Sequence, residues 1–158
     1  MQTGSPFIPY FGELCVATLP NRMKPIEHIR KGDIIDSKGS KVICVVRMKA
    51  STVDVVRFGG GLFIDPRSRV YVKNAVGVYQ WQYPYQVPNA HVTTTQCYYV
   101  YNFVVESDVI YMNNVACETL WGADMLEYLK KFKGFDNGLI DIPLLAPVNV
   151  RTSPDSKI

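Results

Sequence analysis

Hydrophobic and polar residues alternate over short segments along most of this chain, which is the pattern of half-buried β-strands. β-Branched and aromatic residues are concentrated in these segments, and Gly, Ser or Asn separates them. The segments predicted as strands are 14–19, 33–36, 42–48, 53–58, 62–64, 69–73, 76–82, 92–106, 109–112 and 116–120. The pattern therefore indicates a mostly β protein.

Two turns connect neighbouring predicted strands. The triple glycine at 59–61 predicts a hairpin bend, since glycine takes backbone conformations that other residues avoid. A phosphate-binding loop is disfavoured here, because the Gly-Lys-Ser/Thr ending is missing and no helix follows. Asn113-Asn114 predicts a second hairpin between 109–112 and 116–120, since Asn tolerates the left-handed turn geometry.

A single helix is predicted near the end of the chain, over residues 124–133. Met125, Leu126, Leu129 and Phe132 share one stripe, and Gly134 supplies a stop signal.

We expect one domain over residues 10–142, preceded by a flexible arm at 1–9. The proline-containing segment 143–158 is expected to be a flexible tail.

Composition narrows the functional classes. The 158 residues fit one domain, and the net charge of +3 is too small and too scattered to indicate a nucleic-acid-binding face. The sequence has no apolar stretch near the ~20 residues of a membrane helix and no secretory signal pattern at its start. We therefore expect an intracellular, cytoplasmic protein that neither enters a membrane nor binds nucleic acid.

The four cysteines are Cys15, Cys44, Cys97 and Cys117. Their spacing contains no C-x-x-C pair, so we expect reduced, mostly buried thiols and no metal or cofactor. The two histidines, His28 and His91, fall in turn and loop segments and are expected at the surface.

Aromatic residues alternate at Tyr79, Trp81, Tyr83 and Tyr85. Alternation places all four side chains on one face of an extended segment. An exposed ladder of this kind would be a platform for a peptide or for bases, whereas a buried one would pack in the core or between strands. We favour packing.

Three segments carry a more specific pattern: MKPIEHIRKGDII at 23–35, CYYVYNFVVESD at 97–108 and NNVACETL at 113–120. In the first segment Pro25 suits the start of a helical turn, Ile26 and Ile29 share one face of it, and Gly32 allows the reversal that follows. Together the segments resemble the Hint domains of hedgehog proteins and inteins, and more closely their Vint branch. The resemblance implies a disc-shaped β fold with one C-terminal helix on its edge.

Hint domains cleave or splice their own chain, and the resemblance implies where the chemistry would lie. The nucleophilic Cys or Ser corresponds to Tyr10, and the Thr-x-x-His pair corresponds to Asp65 and Ser68. The family's later histidines correspond to Val109 and Gly122. Each of these positions has lost the residue that the chemistry uses, and nine residues precede Tyr10, which leaves little upstream peptide to cut.

A retained scaffold with substituted catalytic positions is typical of a pseudoenzyme. We therefore expect no enzymatic activity and a role as a protein-interaction or structural module with a protein partner. The alternative is residual thiol-dependent self-cleavage by Cys15 or Cys117.

The alignment also predicts two contacts. Cys15 and Cys117 should be close and buried, because the first and last strands of a Hint-like fold run side by side. Tyr10, the loop 65–68 and Trp121 should converge on one depression that the two aromatic side chains fill. The charges of Asp65 and Arg67 should pair or face solvent, since an unpaired buried charge is costly.

Overall fold

The structure, a computed structural model, describes residues 7–58 and 60–144. In this part the chain forms twelve strands and one α-helix. The strands are β1 (Val16–Thr18), β2 (Met23–Pro25), β3 (Val42–Lys49), β4 (Thr52–Phe58), β5 (Leu62–Ile64), β6 (Val70–Lys73), β7 (Tyr79–Gln82), β8 (Val92–Gln96), β9 (Tyr99–Val105), β10 (Val109–Met112), β11 (Val115–Glu118) and β12 (Leu139–Pro143), and helix α1 is Ala123–Lys130.

The strands form three sheets. The largest has six strands in the order β2-β1-β10-β11-β6-β7. Two three-stranded sheets have the orders β12-β3-β9 and β5-β4-β8. Phe11 connects the two smaller sheets, because it forms isolated bridges with Ile64 beside β4 and with Tyr101 in β9.

Two clusters of buried side chains fill the space between these sheets. The first lies under the six-stranded sheet and includes Phe11, Phe103 and Cys117. The second lies between the smaller sheets and helix α1 and includes Tyr10, Leu120 and Leu129. Buried apolar positions on facing sheets are the main source of stability in a fold of this kind.

Both predicted hairpin turns are confirmed. β4 and β5 pair in antiparallel register around the glycine segment, with Phe58 opposite Leu62. Asn113 and Asn114 have φ of 51° and 68° and join β10 to β11. The helix is confirmed as well, although it ends at Lys130 and a separate turn leads to Gly134.

Two predicted strands are wrong. Segment 33–36 contains one isolated bridge, between Ile34 and Lys41, because the Asp36 carboxylate accepts backbone N–H bonds from Lys38 and Ser40 and closes a turn. Segment 92–106 is two strands. It bends at Cys97-Tyr98, where its partner also bends at Ala50-Ser51.

The bend is fixed by hydrogen bonds between the two segments. The Cys97 N–H donates to the Ser51 carbonyl over 2.9 Å, and the Ala50 N–H donates to the Tyr98 carbonyl over 2.9 Å. As a result β8 pairs with β4, while β9 pairs with β3.

The ends of the described chain are packed. Ile8, which the sequence placed in a loose arm, is instead 7% exposed and belongs to the second cluster. At the other end Pro143, the first residue of the predicted tail, is the last residue of β12. Residues 1–6 and 145–158, on which the remaining arm and tail predictions fall, lie outside the described residues.

Candidate functional site

The segment before β1 lies against the loop that follows β5. The Asp65 N–H donates to the Tyr10 carbonyl over 2.9 Å, and the Gly12 N–H donates to the Phe63 carbonyl over 2.8 Å. A Cβ at Gly12 would lie 3.0 Å from the Phe63 Cβ, so a larger residue would fit here only if Phe63 shifted by a few tenths of an ångström. Two of the positions assigned to catalysis, Tyr10 and Asp65, are therefore direct neighbours.

Tyr10 is buried, with 3% of its surface exposed. Its hydroxyl donates a hydrogen bond of 2.8 Å to the Asp54 carbonyl. Burial, and then the negative charge of Asp65, raise the pKa of Tyr10 well above its usual value. The hydroxyl therefore stays protonated and bound to the backbone, which makes it a poor nucleophile.

Asp65 is fully buried and forms an ion pair with Arg67. Its Oδ1 accepts hydrogen bonds from the Arg67 Nε at 2.7 Å and from the Arg67 backbone N–H at 3.0 Å. The Arg67 guanidinium lies 4.9 Å from the centre of the Phe7 ring. Burial raises the pKa of Asp65 to about 6, although Arg67 opposes the shift. The predicted pairing of these two charges is confirmed.

Ser68 and Thr119 are both buried and lie just outside the paired strands β6 and β11. β6 and β11 are antiparallel, with Val70 opposite Cys117, and the Glu118 N–H donates to the Arg69 carbonyl over 3.0 Å. Continuing this register places Ser68 opposite Thr119, with both side chains on the inner face. Sequence reasoning did not select Thr119, although it lies within the segment 113–120 that carries the family resemblance.

Three buried oxygens at this point have no hydrogen-bond partner within the described chain: Asp65 Oδ2, Ser68 Oγ and Thr119 Oγ1. Buried polar atoms in folded proteins are usually hydrogen-bonded to protein or to ordered water. The group offers one carboxyl and two hydroxyls, but neither imidazole of the chain is near it in sequence or sheet. We call Tyr10, Asp65, Arg67, Ser68 and Thr119 the polar corner.

Trp121 does not fill this corner, which corrects the sequence prediction. Its side chain is 52% exposed, and its indole N–H donates to the Glu118 carboxylate over 2.7 Å. Glu118 is in turn held by Arg69 at 2.9 Å. Its exposure and its bond to Glu118 place the indole at the surface and not in the buried corner.

Gly122 and Val109, the positions of the lost histidines, have structural roles. Gly122 has φ of 99° at the start of α1, a left-handed conformation that strains other residues. Val109 opens the β10–β11 hairpin opposite Glu118. His28 and His91 are both exposed, as predicted.

The two candidate thiols are buried in the first cluster. The Cys15 Sγ–H donates to the Phe63 carbonyl over 3.2 Å, and burial raises the pKa of this thiol to about 12. Burial also raises the pKa of the Cys117 thiol, and a thiolate at nearby Cys15 would raise it further. The two thiols are buried and near each other, as predicted. The prediction that their strands run side by side is wrong, because β10 lies between β1 and β11.

Within residues 7–58 and 60–144, His, Cys, Asp and Glu form no group of three that could hold a metal ion. In the same part of the chain, the helices are too short or too polar to cross a membrane.

The contact between Tyr10 and Asp65, two positions that the family motifs predict to converge, agrees with the arrangement expected of a Hint-like scaffold. Residues 10–132 match the family model described as the Vint Hint-domain, so the chain belongs to the Vint family of Hint domains. Among solved structures, the chain resembles a crystal structure of the gp41-1 intein with three substitutions. The sequence identity is 11%, the TM-score is 0.48, and the match covers 70% of this chain and 99% of the intein chain. A search of curated proteins gave no match.

Proposed function

We propose that this protein is a non-catalytic Hint domain that acts as a protein-interaction module. The observation that supports this most strongly is the state of Tyr10, at the position of the family's nucleophile. Its hydroxyl is buried, bonded to the Asp54 carbonyl and shifted to a higher pKa.

Self-cleavage needs more than a nucleophile. A neighbouring base must accept its proton, and hydrogen-bond donors must stabilise the tetrahedral oxyanion. Here Asp65 replaces the Thr of the Thr-x-x-His pair, and its carboxylate is engaged by Arg67. Ser68 replaces the histidine. A negative carboxylate beside a developing oxyanion would destabilise the transition state rather than assist it.

The alternative function, thiol-dependent self-cleavage at Cys15 or Cys117, meets a separate obstacle. A thiol with a pKa of about 12 is ionised in roughly one molecule in 10⁵ at pH 7. Cys117 is also fully buried, so its sulfur has no access to a solvent-side peptide.

Intact-mass spectrometry tests the proposal. The full chain is held for hours at neutral pH with dithiothreitol, and in parallel with hydroxylamine, which intercepts ester and thioester intermediates. We expect the unchanged full-length mass in both samples. Loss of residues 1–14 would identify Cys15 as a nucleophile, and loss of residues 1–116 would identify Cys117; either result overturns the proposal.

A Tyr10→Cys variant makes the test stricter, with Tyr10→Phe as the matched control for packing. Because Asp65 and Ser68 remain, we expect Tyr10→Cys to stay uncleaved in hydroxylamine. Cleavage of Tyr10→Cys but not of Tyr10→Phe would show that the polar corner is competent and that the domain has lost a single group.

A further inference from the structure

The outer face of the six-stranded sheet carries a row of aromatic side chains. In the strand register, Tyr111 of β10 lies opposite Ala116 of β11. Ala116 lies opposite Tyr71 of β6, and Tyr71 lies opposite Trp81 of β7. Directly paired residues of antiparallel strands point to the same face. Four neighbouring strands therefore contribute to one transverse row.

Further aromatic residues extend the row along β7. Tyr79 lies two residues before Trp81 and faces the same side, and Tyr83 follows two residues after it. We call this surface the aromatic face: Tyr71, Tyr79, Trp81, Tyr83 and Tyr111. These side chains are between 38% and 54% exposed. A contiguous exposed aromatic surface of this kind is typical of an interaction site.

The sequence predicted that the alternating aromatic side chains pack in the core or between strands. The first of these two placements, in the core, is wrong. The inward positions of the hairpin are taken by Val70, Val72 and Gln82 instead. Packing between strands does occur. The Tyr71 ring centre lies 5.6 Å from that of Tyr79 and 5.4 Å from that of Trp81, so the rings form a continuous apolar surface.

Charge on this face is almost balanced. The Arg69 guanidinium pairs with Glu118 through two hydrogen bonds, at 3.1 and 2.9 Å. Lys73 lies with its Nζ 5.7 Å from the centre of the Tyr79 ring. A nucleic-acid platform needs several cations along the backbone path of the ligand, whereas here one ammonium group remains without a carboxylate partner in the described chain.

Each polar group of the face can donate a hydrogen bond, and the tyrosine hydroxyls can also accept one. The side chains of Tyr71, Tyr79 and Trp81 are between 40% and 54% exposed, so their polar groups are accessible to a ligand. A suitable ligand would offer apolar surface together with carbonyl acceptors that lack internal partners. Proline-rich segments in the polyproline II conformation have both properties, since proline has no N–H and this helix has no internal hydrogen bonds.

We propose that the aromatic face binds an uncharged, proline-rich segment of a partner protein. Proline rings pack on Tyr71 and Trp81, and backbone carbonyls of the segment accept hydrogen bonds from the tyrosine hydroxyls and the Trp81 indole. This inference rests on the proposed interaction function and names its surface and the chemistry of its partner.

Titration of the full chain with an acetylated, amidated ten-proline peptide tests the inference, with amide peaks followed by two-dimensional NMR. We expect saturable shifts at β6, β7 and β10. A glycine-serine peptide of equal length should leave these peaks unchanged. Tyr71→Ala and Trp81→Ala should each weaken binding by about tenfold, as is typical of central aromatic anchors. Tyr98→Ala is the matched control, because Tyr98 is 79% exposed but lies outside this face.

Several outcomes would overturn the inference. One is the lack of any shift with the proline peptide at millimolar concentration; another is equal weakening by Tyr98→Ala. Salt-sensitive binding of a ten-nucleotide thymidine strand without proline binding would assign the face to nucleic acid. Dimerisation that Trp81→Ala abolishes, measured by sedimentation, would assign it to a second copy of the chain. A separate measurement of intact mass distinguishes failure of the proposed function from failure of this inference. Self-cleavage would reject the proposed function, whereas a stable mass without peptide binding would reject this inference alone.

Discussion

The polar corner is formed by residues that flank the sheet strands β6 and β11, whereas the aromatic face lies on the outer side of that sheet. In each region the burial of the side chains is the reverse of what their polarity usually gives. In the corner, a carboxylate, two hydroxyls and a phenol are buried. On the face, aromatic rings are exposed where the solvent side of an antiparallel sheet is usually polar. The two regions adjoin the same sheet, yet the burial of their side chains is opposite.

This difference separates the consequences of mutation. Side chains in and beside the corner are buried and packed, so their loss should lower the free energy of unfolding. Side chains on the face make few buried contacts, so their loss should change binding and leave stability almost unchanged. Comparing the two regions by stability therefore tests which of them is structural.

The largest effect should come from Phe11, which lies next to Tyr10 and bridges two sheets. Phe11→Ala removes a fully buried ring and should lower the free energy of unfolding by about 3–5 kcal/mol. Tyr111→Ala on the face should change it by less than about 1 kcal/mol. Urea unfolding followed by circular dichroism measures both. Comparable losses for the two variants would mean that the aromatic face is part of the core.

Breaking the buried ion pair should have the next largest effect. Asp65→Ala leaves Arg67 largely buried without its carboxylate, which should cost about 3 kcal/mol. Asp141→Ala is the matched control, because Asp141 pairs with Arg47 at 2.6 Å but is 57% exposed. That surface pair should be worth about 0–1 kcal/mol. Equal losses in urea unfolding would contradict a structural role that is specific to the corner.

Local sequence patterns were sufficient to predict most of the strands. β3 and β4 lie within one residue of the predicted segments, because alternation and β-branching mark half-buried strands directly. The division between β8 and β9 was missed, since its cause is a simultaneous bend in the partner strands at Ala50-Ser51. Long-range pairing of this kind leaves no signal in the segment itself.

Less of the candidate site than of the fold could be predicted from local sequence patterns. The contact between Tyr10 and Asp65 joins residues far apart in sequence, and the family motifs, not local pattern, indicated it. Thr119 was missed because its burial depends on the register between β6 and β11. Alternation correctly grouped Tyr79 and Trp81, but it does not determine which face of a hairpin meets solvent.

A smaller, pH-dependent effect should also originate in the corner. Burial raises the pKa of Asp65 from 3.8 in the unfolded chain to about 6 in the folded protein. Between these values the folded state holds a proton that the unfolded state lacks, so this contribution is complete below about pH 4 and is lost as pH rises through 6. The difference in unfolding free energy between wild type and Asp65→Asn should therefore fall from pH 4 to 6 and stay constant above 7. A difference that is flat throughout would mean that Asp65 ionises normally.

The smallest effect concerns the position of a lost histidine. Gly122 has φ of 99°, and a Cβ added there would meet no atom within 4 Å. Gly122→His should therefore cost about 1 kcal/mol through backbone strain alone, and Gly122→Ala should cost the same. Ala123→His, one residue into the exposed start of α1, should cost less because its backbone is helical. Since a restored imidazole would still lack a nucleophile at Tyr10, none of the three variants should lose mass in hydroxylamine. Cleavage by Gly122→His alone would show that the corner had been one histidine short of activity, and the contrast between a structural corner and a binding face would fail.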